Sequence, residues 1–123
     1  MSWDSVTRAE VELEVFSGRP NPAWSLSGAE TSRLVELLSG LPSGEVRELP
    51  EPLGYRGFAV TLTHADARVT AVRVYKGEVR VEAGGAVTAL ADPGRTLERW
   101  LSTTGTQLDP GLREMVLNEL QND

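Results

Sequence analysis

Between Thr7 and Phe16 apolar and polar residues alternate, with Val11, Leu13 and Val15 on one side and Glu10, Glu12 and Glu14 on the other. Successive side chains of a strand point to opposite faces, so the pattern predicts a half-buried strand. The period then changes. Leu34, Leu37, Leu38 and Leu41 recur at intervals of three and four, behind a Ser27-Gly-Ala-Glu30 capping box and before Gly40 and Pro42, which predicts a helix over about residues 28 to 39. Period two returns in Phe58, Val60, Leu62 and His64, set against Ala59, Thr61 and Thr63, as a second strand.

Arg68 to Tyr75, rich in valine and threonine, reads as a third strand, and Tyr75-Lys-Gly-Glu78 as a hairpin turn into a fourth carrying Val79, Val81 and Ala83. Gly84-Gly85 interrupts it, leaving Ala86 to Leu90 as a bulged extension or a short fifth strand. Asp92-Pro-Gly and Asp109-Pro-Gly each combine a capping carboxylate with a proline fit for the first helical position. They predict a helix to about Thr103, with Leu97, Trp100 and Leu101 inward, and a last one with Leu112, Met115, Val116 and Leu120 inward.

The order β-α-β-β-β-(β)-α-α predicts an α+β fold: an antiparallel sheet of four strands, or five, with three helices mainly on one face. The insertion point of the first strand is left open by the pattern. At 123 residues the chain has the size of one domain, with residues 1 to 6 and 121 to 123 expected as loose ends and Trp3 able to fold back. Residues 42 to 53, holding Pro42, Pro50 and Pro52 among glutamates, read as a surface connection.

A formal charge of −6 opposes attraction to phosphate backbones and to anionic membranes, so neither nucleic acid nor a membrane is expected as partner. Eleven of the twelve basic residues are arginine, consistent with the codon bias of a high-GC genome. The absence of cysteine removes disulfides, thiolate catalysis and Cys-based metal sites, and no cofactor or metal is called for. With neither an apolar leader nor a run long enough to span a bilayer, the expected location is the cytoplasm.

The densest chemistry lies in Phe16-Ser-Gly-Arg-Pro-Asn-Pro-Ala-Trp24. Pro20 and Pro22 fix two φ angles and push Arg19 and Asn21 toward extended backbone, a stiff presentation of Arg19, Asn21 and Trp24. Arg19 suits a carboxylate or phosphate, and Trp24 offers a flat apolar platform. The structural reading of the same residues is a rigid connection, with Trp24 capping the core. Gly54-Tyr-Arg-Gly57 matches the G-x-x-G pattern of backbone-clamping loops, but a strand follows it and the acidic charge opposes nucleic acid, so a turn placing Tyr55 over the core competes. Should Tyr55 and Arg56 lie beside Arg19 and Trp24, they would complete a receptor for a small anion, a peptide or a protein partner.

Two further readings stand beside that binding module. His64, with Asp66 to orient it, would serve a small enzyme as general acid or base on an anionic substrate, but a surface histidine at a strand end is the favoured reading of the same residue. The third is an assembly module, a homodimer through an exposed sheet edge or the last helix.

Overall fold

A computed structural model describes residues 3, 5–16, 20–45, 55–106 and 108–121. Its sheet has six strands in the order β2-β1-β3-β4-β5-β6, every neighbouring pair antiparallel. The strands are β1 (Val6–Leu13), β2 (Ala23–Ser25), β3 (Phe58–His64), β4 (Val69–Tyr75), β5 (Glu78–Ala83) and β6 (Ala86–Ala91). The α+β class and the antiparallel sheet stand as expected, and the strand count is corrected. Ala86 onward pairs with β5 along its whole length, and the proline-rich run read as a loop holds β2. β1 inserts between β2 and β3, so it is an interior strand.

The alternation places Ala9, Val11, Leu13, Phe58, Val60 and Leu62 on one buried face, where they meet the helices. Each of the valine, leucine and phenylalanine side chains contributes roughly 1.5–3 kcal/mol by leaving water. Helix α1 (Gly28–Ser39) packs on β1, with Leu34 and Leu38 buried, and its Ser27–Glu30 capping box forms in both directions. Helix α2 (Thr96–Thr104) packs on β4 and α1, and α3 (Pro110–Gln121) packs on α2. Trp3 is buried in the core and the Ser5 carbonyl accepts the Ala65 amide, so the expected loose start is tied down at both residues. The opposite sheet face carries Glu10, Glu12, Thr61, Ala71, Arg73 and Glu82, all exposed or half-buried.

The entry to α2 departs from the sequence reading. Pro93 opens a short 3-10 turn, Gly94 and Arg95 adopt left-handed backbone (φ 67° and 56°), and α2 starts only at Thr96. The Asp92 carboxylate reaches across this kink to accept the Leu97 and Glu98 amides at 2.8 and 3.0 Å. Burial raises its pKa above the ordinary range against those bonds. The kink turns Arg95 and Glu98 inward, and Trp100 is only half-buried.

The two sheet edges differ. Residues 42–44 cover part of β6: Gly44 donates to the Ala89 carbonyl and the Ala91 amide donates to the Pro42 carbonyl. A side chain at Gly44 would lie 2.8 Å from the Leu90 backbone, so only glycine permits this approach. β2, at the other end, has no described strand beyond it.

Candidate functional site at the free edge of the sheet

β2 is short, but its hydrogen bonding is well defined. The Pro22 carbonyl accepts the Leu13 amide at 2.9 Å, and Leu26 donates to the Ala9 carbonyl at 3.0 Å. In an antiparallel ladder alternate residues bond to the same neighbour. Positions 22, 24 and 26 therefore bond toward β1, and the amides and carbonyls of Ala23 and Ser25 point away from the sheet. Both residues are exposed.

Those outward groups border an open groove of about 460 Å³. One bank is Pro22 to Ser25 with Glu30, and the other is Thr104, Gly105, Thr106 and Leu108 at the turn between α2 and α3. Trp24 joins the banks. Its Nε1 donates to Thr104 Oγ1 at 2.9 Å, and its ring meets Phe58 edge-on with centroids 6.4 Å apart. A side chain at Gly105 would fall 2.9 Å from both the Trp24 ring and Leu108, so glycine is required where the indole slides under the turn. The half-buried indole is thus fixed in place while it lines the groove.

The other residues singled out in the sequence support this arrangement from behind. Asn21 Oδ1 accepts the Val15 and Phe16 amides at 3.0 and 2.8 Å while Nδ2 donates to Glu12, which folds the segment before β2 back on β1. Arg56 donates to the Phe16 carbonyl at 2.8 Å, and its amide donates to the Glu14 carbonyl, so the two segments do meet. Tyr55 is buried, edge-on to Phe58 and Tyr75, with its hydroxyl donating to Glu98. Arg19 and Gly54 lie outside the described residues.

Glu98 is the hub that the sequence reading missed. Besides Tyr55, its oxygens accept Arg95 Nε at 3.0 Å, Arg95 Nη2 at 2.8 Å and the Lys76 amide at 2.9 Å. Arg95 Nη1 donates to the Glu119 carbonyl of α3. Lys76 and Gly77 both have positive φ, the mark of a tight two-residue hairpin, so this carboxylate ties the β4–β5 turn, α2 and α3 together. Burial, and then the Glu98 charge, push the Tyr55 phenol well above its ordinary pKa. The signal was present: Glu98 shares a helical face with Leu97 and Leu101, and a carboxylate there must find a buried partner.

His64 is not at the surface. It continues the buried parity of β3, with Nδ1 2.7 Å from Ser5 Oγ and Nε2 2.8 Å from Thr70 Oγ1. Asp66 is exposed and bonded to Arg68 at 2.6 Å, and bonds from the Arg68 backbone and side chain hold its carboxyl below the ordinary range. Among the described residues no three His, Cys, Asp or Glu side chains could together hold a metal, and no described helix is long and apolar enough to cross a membrane. The chain matches no protein-family model, no curated protein and no solved structure, so the site rests on its own residues.

Proposed function

We propose that the protein is a binding module that takes an extended peptide segment as a seventh strand along β2. The observation that carries this reading is the outward set of amides and carbonyls at Ala23 and Ser25, placed in an open groove beside Trp24. Unpaired edge groups are a template for another strand, and strand addition is a recurrent mode of peptide recognition. The contrast between edges supports it: the β6 edge is partly covered by residues 42–44, whereas the β2 edge opens on a concave surface.

Two residues offer up to four main-chain bonds, each with a net value of about 0.5–1.5 kcal/mol. Association costs at least about 4 kcal/mol in lost freedom, so these bonds alone do not hold a peptide. The remainder comes from an apolar side chain against Trp24 and Leu108, which contributes roughly 1.5–3 kcal/mol. The expected complex is weak and selective for an extended segment with an apolar anchor. The acid–base reading of His64 is less favoured, since both ring nitrogens are already bonded and the residue does not line this groove.

The test uses peptides selected from a phage-displayed random library on the full chain. Ser25→Pro removes one outward donor without touching the bonds to β1, and proline is tolerated on a strand edge. Selected peptides should lose binding to Ser25→Pro and to Trp24→Ala while Ser25→Pro melts near the wild type. Peptides that bind Ser25→Pro unchanged would refute the reading. A dimer that disappears in Ser25→Pro would mean that a second copy of the chain takes the edge.

A further inference from the structure

We infer that the open face of the sheet holds a site for a small oxyanion, clasped between Arg73 of β4 and Arg80 of β5. The two residues are direct cross-strand partners, and like charges so placed repel unless something negative lies between them. Nothing in the described chain bridges them. Arg73 Nε donates to Glu14 at 3.2 Å on its far side, and Arg80 Nε lies 3.6 Å from Glu82, beyond a hydrogen bond. Arg80 Nε is buried and has no hydrogen-bond partner. The terminal nitrogens of both guanidinium groups have no bond to the described residues.

The surroundings are concave. A pocket of about 260 Å³ lies here on the sheet, with Ala59, Thr61 and Ala71 as its floor and Arg73, Arg80 and Glu82 as its walls. Small side chains at the first three positions lower the floor and leave the two long arginines standing above it. Sites for drug-sized molecules occupy roughly 300–1,000 Å³, so this one suits a smaller ligand. Arginine presents a planar fork of donors matched to carboxylate and phosphate oxygens, which is the chemistry these two classes share. Glu82, half of it exposed, competes for Arg80 and sets the affinity low. The site lies on a separate surface from the β2 groove, and neither depends on the other.

Two probes distinguish the anion classes: inorganic phosphate and succinate, each titrated at constant ionic strength against chloride. Either anion should raise the melting temperature in a saturable way and shift the NMR signal of the Arg80 Nε–H group. Arg80→Gln and Arg73→Gln should each weaken binding at least about tenfold, since a bond to a charged group is worth that much. Glu82→Gln should strengthen it about two- to fivefold, the effect of removing one exposed competing charge. Phosphate or succinate alone meeting these terms identifies the class. If neither shifts the Arg80 signal, or if both raise the melting temperature of Arg80→Gln as much as that of the wild type, the site does not exist.

Discussion

Replacing Glu98 with alanine removes the one carboxylate that three groups share as an acceptor. Its side chain is fully buried, so no water takes over the bonds to Arg95, Tyr55 and the Lys76 amide. Removing one partner of a buried ion pair costs about 3–5 kcal/mol, and each further orphaned donor about 1–3 kcal/mol. The groups share one acceptor, so these costs do not add, and about 5 kcal/mol is the expected loss. Domain stability at this length is on the order of 10 kcal/mol, which makes the change large. The melting temperature should fall by roughly 15–25 °C. Urea unfolding followed by tryptophan fluorescence and circular dichroism measures it. Arg95→Ala should cost a similar amount, and the double variant should cost at least about 2 kcal/mol less than the sum, because both single removals lose the same Arg95–Glu98 interaction. A loss below about 1 kcal/mol in Glu98→Ala, or strict additivity, would refute the hub.

Three other outcomes follow from the same geometry. Gly57 has φ 88° and a side chain there would meet the Val74 carbonyl at 2.1 Å, so Gly57→Ala should destabilise by more than about 2 kcal/mol in the same urea assay. The raised Tyr55 pKa means that its contribution to stability is whole below the unfolded value near 10 and is lost as pH rises above it. Alkaline unfolding curves should show this loss in the wild type and a smaller one in Tyr55→Phe. Gly44→Val should lift residues 42–44 from the β6 edge, and light scattering should show more self-association than in the wild type.

Most elements were legible because each carries its own period. The alternation in β1 and β3, the capping box of α1 and the Lys76-Gly77 turn are local signals, and all three formed as read. β2 was not legible. Three residues are too few for a period, and the prolines before them signal a loop. What makes Ala23–Ser25 a strand is the edge of β1, presented from a distance in the chain. Trp24 stands out as an aromatic in a stiffened segment, but its groove needs Thr104, Gly105 and Leu108, some eighty positions onward. The Arg95–Glu98 pair was hidden by a kink: Asp92-Pro-Gly reads as a plain helix start, whereas left-handed backbone at Gly94 and Arg95 delays α2 and turns both charges inward.

The free edge of β2 can be read directly by amide hydrogen exchange at Ala23 and Ser25. In the protein alone both amides should exchange fast while Trp24, bonded to β1, is slower. A bound library-selected peptide should slow Ala23 and Ser25 and leave β6 unchanged. Protection of both amides in the free protein, or peptide-induced protection elsewhere with none at these two positions, would contradict the account.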